Sequence, residues 1–477
     1  MTAPKVAHLS VEDRKARGTS ARQRTPRSSL RGWVPVEGRL DPVALLEAQN
    51  VTREQDLVPV RHGRMLVSPF TFYRGSAKIM AEDLKDTPRA GLITQLCGDA
   101  HLSNFGVFAS PERRLLFDLN DFDETLPGPF EYDVLRMTAS FTIAARNNGF
   151  SAADTRDVTR AAVRSYREAM AGFATMGTMD IWYARLSEEE LTADIQLAIG
   201  TQKGKQRKSA EAIGKNAQRN AAKARSRDSL QALSKLAEYV DGQYRIVSQP
   251  PIVIPARELL DHFGMSPDET RQALHSQLRS YRATLQEDRR HLLERFQLVD
   301  VARKVVGVGS VGTRSFIALL QGRDEQDPLF LQVKEATASV LEDHLPKSRY
   351  KQPGERVVQG QRMMQAASDI YLGWTRGVQE NRYLYWRQLR DMKGSAVIEE
   401  MKPLAMTLYA HACGWTLARA HARSGDPIAI AAYLGQSDKF DTAVTDFSER
   451  YADQNDRDYE AFAEAVRSGR LQAVEGV

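Results

Sequence analysis

Residues 300–336 read DVARKVVGVGSVGTRSFIALLQGRDEQDPLFLQVKEA, and this stretch decides the fold. Residues that favour β-strands dominate three short runs, separated by a glycine-rich turn and by the turn sequence GRDEQDP. The pattern predicts a β-meander whose second strand runs from Thr313 to Leu320 and whose third strand runs from Leu329 to Val333. Lys334 follows directly at the end of the third strand.

The glycine-rich turn has the spacing G-x-G-x-x-G, which alone is a weak signal because glycine clusters often form only turns. A dinucleotide-binding fold needs a long helix after the last glycine, whereas RSFIALL is rich in β-formers and soon ends at a turn. A loop that covers nucleotide phosphates instead needs a strand on each side and a lysine on the third strand. We therefore predict a nucleotide-binding set, Gly307, Gly309, Ser310, Gly312 and Lys334.

A lysine at this place normally needs a carboxylate from the following helix to hold it. Glu355 opens the next amphipathic pattern, GERVVQGQRMMQAASDIYLGW. We expect Glu355 to orient Lys334 in the catalytic set. The alternative is that Glu355 only complements the dipole of a helix N-terminus, where acidic residues are favoured.

The first half of the chain supplies the other groups of a phosphoryl-transfer site. Asp99 and Asn104 in GDAHLSN have the D-x-x-x-x-N spacing in which the aspartate accepts a hydroxyl proton and the asparagine binds a metal ion. Asp121 opens DFDE at the end of a predicted strand, where it can ligate Mg²⁺ beside nucleotide phosphates. Asp123 adds negative charge that is costly to cluster without a cation. We predict Asp99 as the base and Asn104 and Asp121 as metal ligands.

Further polar residues near these loops are predicted to support the site. His101 lies inside the loop and fits an orienting role better than that of a general base. Asp133 and Arg136 can form an ion pair that braces the loop, or an ordinary surface pair. Arg74 lies in the stretch from Met65 to Leu84, which turns from a strand-like run into a helix, and it can reach a phosphate.

At these residues the sequence resembles known proteins in two ways. GDAHLSNFG with FDLNDFDE is similar to the catalytic and metal-binding loops of aminoglycoside-phosphotransferase-like and protein-kinase-like enzymes. From about Met65 onward, the chain resembles DUF2252, an uncharacterised bacterial family whose pattern includes FYRG, NDFDETLPGP, GVGSVGTR, LQVKEA, GERVVQGQR, RQLRDMKG and LARAHARSGD. The resemblance implies a kinase-like fold and leaves the substrate open.

The order of the motifs departs from that of ordinary kinases, because Asp99, Asn104 and Asp121 precede Gly307 and Lys334. The resemblance therefore implies an α+β fold of two lobes in circularly permuted order, which folding tolerates when termini lie on the surface. We expect a disordered basic tail over 1–35, a first helical part over 36–299 and a β-rich lobe with hinge over 300–395. Residues 396–477, with the helical pattern ending in LARAHA, would complete the larger lobe.

Length and composition limit the remaining possibilities. The chain of 477 residues is long enough for two lobes, and a net charge of +5 does not demand nucleic acid as a partner. Two cysteines cannot form a disulfide framework, and no uncharged run of about 18 apolar residues occurs, so we expect a cytoplasmic protein without membrane contact. The basic segment 203–227 is either a solvated helix face or a phosphate or nucleic-acid contact.

These observations predict an ATP- and Mg²⁺-dependent phosphotransferase acting on an unidentified hydroxyl-bearing acceptor. Two alternatives stay open. One is nucleotidyl transfer at the same site. The other is a non-catalytic nucleotide-binding switch or partner-binding pseudokinase. Nucleic-acid binding is a weaker reading that would require an affinity falling steeply with salt.

Overall fold

The computed structural model describes residues 8–476, with gaps at 202–203, 261–263, 265, 306, 379–380 and 390. The protein has an α+β fold, as the sequence predicts, in which an antiparallel sheet packs beside a larger helical part. Among the helices that the structure describes, none is both long and apolar enough to cross a membrane.

Along the chain, one helical stretch precedes the main sheet segment and a second one follows it. The helices are Val11–Arg24 (α1), Pro42–Asn50 (α2), Val58–Leu66 (α3), Pro69–Gly75 (α4), Ala77–Leu84 (α5), Glu131–Asn147 (α6), Ala152–Phe173 (α7), Thr178–Tyr183 (α8), Glu188–Thr201 (α9), Gly204–Arg225 (α10), Ser229–Leu236 (α11), Pro267–Arg282 (α12), Glu287–Leu293 (α13), Pro353–Met364 (α14), Pro403–Ser424 (α15), Pro427–Leu434 (α16) and Lys439–Arg467 (α17). The strands are Ile93–Leu96 (β1), Phe105–Ala109 (β2), Leu115–Leu119 (β3), Leu126–Pro129 (β4), Leu186–Ser187 (β5), Ala237–Val240 (β6), Gln243–Ile246 (β7), Val253–Pro255 (β8), Gln297–Lys304 (β9), Ser315–Gln321 (β10), Pro328–Glu335 (β11), Gly373–Arg376 (β12) and Tyr383–Gln388 (β13).

The main sheet has six antiparallel strands in the order β12, β13, β11, β10, β9, β8. Strands β9 to β11 are the predicted meander. The helix α14 separates β11 from the β12–β13 hairpin, and β13 returns to pair directly with β11. The sheet also takes in β8, which precedes residue 300, and helix α12 packs on it. The sheet segment therefore begins earlier in the chain than the composition shift suggests.

Alternation along β11 decides which residues face the rest of the molecule. Leu331 and Val333 pack with Leu278 and Tyr281 of α12 in one apolar cluster. Tyr281 also stacks on Trp386, with ring centroids 4.6 Å apart. The side chain of Lys334 points to the opposite face of the sheet.

The helical part shares one core between the two ends of the chain. Helices α6 and α7 pack against α15 and α17, and residues from both ends belong to the largest apolar cluster. Gly414 lets α15 approach α7 closely, because a Cβ there would lie 2.3 Å from the carbonyl oxygen of Ala162 in α7. The C-terminal segment also returns to α3, where Val474 N donates to Pro59 O.

The sequence predicts a disordered tail over 1–35, of which residues 1–7 lie outside the described part of the chain; residues 8–35 differ from that expectation. Residues 11–24 form helix α1, and Ser10 caps it by accepting a hydrogen bond from Asp13 N. The helix packs on α16 through Gly18, where a Cβ would lie 2.1 Å from Ala429 O. A small residue at the contact orders this helix, although its sequence has few apolar residues.

The stretch Met65 to Leu84 also differs, because it is helical throughout apart from short breaks. Its strand-like start falls at the end of α3 and in α4. Ser68 caps α4 by accepting from Thr71 N at 3.2 Å, and Pro69 stands in its first turn. This cap with proline outweighs the strand propensity of the Phe, Thr and Tyr residues that follow.

Candidate functional site

A cleft of about 490 Å³ lies where the main sheet meets the loops of the helical part. Three loops bound it, the loop after β1, the loop after β3 and the glycine-rich loop between β9 and β10, together with residues from 48–53, 74–78 and 335–343. Most of the residues predicted for the site line this cleft, namely Arg74, Asp99, His101, Asn104, Asp121, Asp123, Gly307, Gly309 and Ser310.

The loop after β1 is held from behind by Asp133 of α6. The two carboxylate oxygens of Asp133 accept hydrogen bonds from Cys97 N at 2.8 Å and Gly98 N at 3.0 Å. His421 of α15 lies 3.2 Å from the same carboxylate. Gly98 has φ +85°, and a Cβ there would lie 2.1 Å from Glu124 O, so the tight turn before Asp99 requires glycine.

Asp99 forms an ion pair with Arg136, whose Nε lies 2.8 Å from Asp99 Oδ1. The expected Asp133–Arg136 pair is therefore wrong: Arg136 faces Asp99, while Asp133 is engaged by backbone amides. Burial raises the pKa of Asp99, and Arg136 opposes that rise. A carboxylate with a raised pKa that still has a cationic partner can accept a proton from a substrate hydroxyl.

His101 is buried, and its Nε2 lies 3.8 Å from Asp99 Oδ2. Burial, followed by the charges of Arg136 and Arg74, holds the pKa of His101 well below its usual value. The imidazole is therefore neutral at physiological pH. This environment suits a packing or orienting group beside Asp99 rather than a group that gains charge.

Asn104 closes the loop by donating from Nδ2 to Asp99 O at 2.7 Å. In the described part of the chain, its side-chain oxygen takes no hydrogen bond. Asn120 N donates to the backbone oxygen of Asn104 at 2.8 Å, which ties this loop to the one that contains Asp121. The amide is thus fixed at one end with its oxygen open for a ligand.

Lys334 connects the sheet to the loop after β3. Its Nζ lies 2.5 Å from Asp123 Oδ2 and 3.8 Å from Asp121 Oδ2. Tyr385, its cross-strand neighbour on β13, donates to Asp123 Oδ1 at 2.6 Å. Burial disfavours the charge on Lys334, but Asp121 and Asp123 outweigh it and raise the pKa of the ammonium group.

The two aspartates of this loop have different environments. Burial raises the pKa of Asp121, and the neighbouring charge of Asp123 raises it further. Burial also acts on Asp123, but Lys334 and the hydrogen bonds from Lys334 and Tyr385 outweigh it and lower the pKa of Asp123. Asp123 is thus the closer partner of the lysine, while Asp121 lies 3.8 Å from the same Nζ and keeps a raised pKa.

Glu355 does not occupy the position expected for it. Among the described residues, the carboxylates within ion-pair distance of Lys334 are Asp121 and Asp123. Glu355 lies in the first turn of α14, where it complements the helix dipole. The next residue, Arg356, is the one that points inward, donating to the backbone oxygens of Asp123 and Thr337 at 2.7 and 2.8 Å.

Two arginines hold the glycine-rich loop: Arg53, in the turn between α2 and α3, and Arg64 of α3. Arg64 donates to Gly307 O at 2.6 Å and Arg53 donates to Val311 O at 2.5 Å. Ser310 Oγ lies 3.3 Å from Asp123 Oδ2, so the loop closes over the aspartates. Gly312 has φ +85° and packs on the side chain of Arg53, outside the residues that line the cleft.

Arg53 and Arg74 are two cleft residues with unusual environments. In the described part of the chain neither forms an ion pair, and the Nε atoms of both are buried without a hydrogen-bond partner. Burial lowers the pKa of Arg53 to about 10 and also lowers that of Arg74. Both guanidinium groups remain charged at neutral pH. Arg53 has no motif around it, so its position in the cleft was not predicted from the sequence.

The oxygen ligands of the cleft fit a magnesium ion whose coordination would be completed by substrate. No group of three His, Cys, Asp or Glu side chains in the described residues is arranged as a metal site by itself. Asp121 and the open oxygen of Asn104 are hard ligands, and Mg²⁺ is usually bound by one or two carboxylates together with water and substrate phosphates. The raised pKa of Asp121 fits a carboxylate that awaits a cation.

Comparison with protein families identifies the chain. The model of the family described as "Uncharacterized protein conserved in bacteria (DUF2252)" matches residues 53–465. The chain belongs to the DUF2252 family. The resemblance of its motifs to this family is confirmed. No curated protein and no solved structure matches the chain.

The residues that line the cleft all lie inside the DUF2252 match, except for the short stretch just before Arg53. Helices α1 and α2 and the last two residues of α17 lie outside it. The family region therefore coincides with the part of this DUF2252 protein that builds and supports the cleft.

Proposed function

We propose that this DUF2252 protein is an ATP- and Mg²⁺-dependent phosphotransferase with a kinase-like fold in circularly permuted order. The observation that carries the proposal is the contact of Lys334 with Asp123 and Asp121 at the edge of a cleft that also holds Asp99 and Asn104. These groups come from distant parts of the chain and lie close together only in the folded protein.

The architecture of the sheet supports the kinase-like lobe. A glycine-rich loop joins the first two strands of the meander, the third strand carries the lysine, and helix α14 follows before the next hairpin. Protein kinases use a glycine-rich loop over the phosphates and a lysine on the third strand. In this proposal, residues 300–395 form the core of the smaller lobe, and 36–299 with 396–477 form the larger one.

The position of α15 supports the permuted order. The last turn of this helix contacts β1, the strand that leads to Asp99: Gln95 N donates to Ser424 Oγ at 3.1 Å. His421 of the same helix faces Asp133, which holds the turn before Asp99. In an unpermuted chain this helix would lead directly into the loop that contains Asp99.

The proposed reaction uses the cleft residues as follows. Asp99 accepts the proton of an acceptor hydroxyl, and Arg136 keeps its carboxylate ionised before that step. The acceptor oxygen forms a bond to the γ-phosphorus, while the bond from that phosphorus to the β–γ bridging oxygen breaks and ADP leaves. Lys334 neutralises phosphate charge. Mg²⁺, held by Asn104 and Asp121, would supply further charge neutralisation on the phosphates.

Substitution of the two cleft aspartates tests this assignment. Asp99→Asn and Asp121→Asn should each lower Mg²⁺-dependent turnover of ATP by at least about 100-fold, because each removes a group used in the transition state. The exposed Asp157→Asn is the matched control. Unchanged turnover in Asp121→Asn, with the variant shown to be folded, would refute the metal-ligand role. Product analysis identifies whether a phosphoryl or a nucleotidyl group moves.

The alternative hypothesis, a non-catalytic switch, predicts different results for the same parent protein and variants. A binder without chemistry would bind Mg²⁺-ATP with no turnover, and Asp99→Asn would leave its affinity unaltered. The raised pKa of Asp99 and its pairing with Arg136 favour catalysis, because a binding protein has no need for a basic carboxylate at this place.

A further inference from the structure

Two spaces lie near Lys334, one lined by its ion-pair partners Asp121 and Asp123 and the other by Arg387 of the next cross-strand pair. Together they bear on which part of the phosphate donor is recognised. The first is the cleft of about 490 Å³ described above. The second lies farther along the strands, beside Arg387 and Lys393, and its volume is about 30 Å³. The inference rests on the proposed function, since it concerns the donor bound at the same site.

The smaller space has no room for a nucleobase. On the face of the sheet that carries Lys334 and Tyr385, the next cross-strand pair is Gln332 and Arg387. Arg387 Nε donates to Gln332 Oε1 at 2.8 Å, and Arg387 Nη1 donates to Asn120 O at 3.1 Å. A water molecule needs roughly 10–15 Å³ of such space, so this volume suits about two or three waters.

The larger cleft is lined mainly by charged and polar side chains and offers no flat apolar slot. Six carboxylates line it, those of Asp99, Asp121, Asp123, Glu124, Glu335 and Asp343. Arg53, Arg74 and Lys78 line it, in addition to Lys334 at its edge. Lys78 is paired with Asp343 at 2.8 Å, whereas Arg53 and Arg74 have no carboxylate partner in the described residues. Carboxylates act on both guanidinium groups from beyond ion-pair distance: Glu124, Asp123 and Glu335 on Arg53, and Glu399 and Asp99 on Arg74. Phosphate suits the forked donors of these two arginines.

The apolar lining of the cleft is too small to sandwich a base. Among the described residues that line it, none is Phe, Tyr or Trp, and the one aromatic ring is the buried imidazole of His101 beside Asp99. The apolar lining residues are alanines and two valines, Val308 and Val340. A base that stacks on an aromatic ring gains roughly five- to 150-fold in affinity from that contact. The cleft has no group that could supply such a gain.

We propose that this cleft recognises its donor through the polyphosphate chain and not through the base. Lys334 at one end and Arg53 and Arg74 along the cleft contact phosphate oxygens, and the nucleoside extends toward solvent. The ligand class is therefore a magnesium-bound linear triphosphate with or without a nucleoside. ATP, GTP, CTP and inorganic tripolyphosphate should bind with similar affinity.

Competition between these ligands tests the inference on the full-length protein. Dissociation constants for ATP, GTP, CTP and tripolyphosphate are measured by calorimetry at saturating Mg²⁺ and fixed ionic strength. We expect all four values to agree within about fivefold, and adenosine not to compete. An ATP affinity more than about fivefold above that of tripolyphosphate or GTP would overturn the inference while leaving the proposed phosphotransferase intact. Binding of none of the four by folded protein would overturn both.

An arginine variant provides the second measurement. Arg74→Gln should weaken ATP and tripolyphosphate by the same factor, about tenfold, because it acts on the phosphate chain alone. Arg376→Gln, an exposed arginine on β12 outside the cleft, is the matched control and should change neither. A loss confined to ATP would contradict the inference, as would unchanged affinity for both ligands. The melting temperature without ligand shows whether each variant is folded.

Discussion

Lys334 Nζ lies 2.5 Å from Asp123 Oδ2, although 211 residues separate the two along the chain. The lysine belongs to the sheet and the aspartate to a loop of the helical part, so this ion pair fastens the two parts at the edge of the cleft. Only 3% of the lysine side chain is exposed, against 28% for the aspartate. Such a contact is expected to matter for stability as well as for ligand binding.

The energetic coupling of this pair can be measured by a double-mutant cycle. Lys334→Met and Asp123→Asn should each lower the free energy of unfolding by about 2–4 kcal/mol, because each leaves an uncompensated buried charge or dipole. The double variant should lose at least about 1 kcal/mol less than the sum of the single losses. Denaturant unfolding measures all four proteins, and strict additivity would show that the pair is not coupled.

The turn that holds Asp99 depends on Asp133. Asp133→Asn should lower the free energy of unfolding by about 2–3 kcal/mol, since the new amide NH₂ would face one of the two backbone donors, Cys97 N or Gly98 N, and leave it without an acceptor. The control is Asp157→Asn on the exposed side of α7, which should stay within about 0.5 kcal/mol of the parent. Equal effects of the two substitutions in urea unfolding would rule out this role for Asp133.

The environment of Glu131 leads us to expect a free energy of unfolding that falls as pH rises. Burial raises its pKa to about 7 from 4.5, and Ala90 N donates to one of its oxygens while the other has no partner in the described residues. Between these pH values the folded state holds the proton and the unfolded state releases it, so folding is stabilised most below pH 4.5 and loses this contribution as pH rises to 7.

Glu131→Gln isolates that effect. The free energy of unfolding of the parent, relative to this variant, should fall by roughly 3 kcal/mol between pH 4 and pH 8. Exposed Glu400→Gln controls for loss of a negative charge. A difference between parent and Glu131→Gln that does not vary with pH would show that Glu131 ionises normally in the folded protein.

The contact between α7 and α15 should be sensitive to one methyl group. Gly414→Ala would place a Cβ 2.3 Å from Ala162 O and should cost about 2–3 kcal/mol of stability. Gly172→Ala, in α7 with no atom within 4 Å of the added Cβ, should instead stabilise by up to about 1 kcal/mol. Thermal unfolding separates the two, and a neutral Gly414→Ala would mean that the helices can move apart at little cost.

Much of the cleft could be predicted from the sequence because its residues stand in short, closely spaced motifs. Asp99, Asn104 and Asp121 follow strands whose apolar runs are easy to recognise, and the meander around Lys334 has clear turn signals. The structure brings these residues to one cleft. Their proposed catalytic roles stay predictions.

The features that the sequence analysis missed depend on contacts between distant segments. Glu355 was predicted as the partner of Lys334 by its spacing, but the fold supplies Asp123 from the other half of the chain. Helix α1 was missed because it is ordered by a close contact at Gly18 rather than by an apolar face. Arg53 was missed because a single arginine gives no sign that it will be buried without a partner.

Thermal stabilisation by ATP, with and without Mg²⁺, tests the central claim most directly. With ATP at 100 times its dissociation constant, the free energy of unfolding of the parent protein should rise by about 2.7 kcal/mol, and this gain should require Mg²⁺. Lys334→Ala and Asp121→Asn, shown to be folded without ligand, should both lose this stabilisation. An equal rise in melting temperature in all three proteins, or none in the folded parent, would contradict the account of the cleft as a kinase-like nucleotide site.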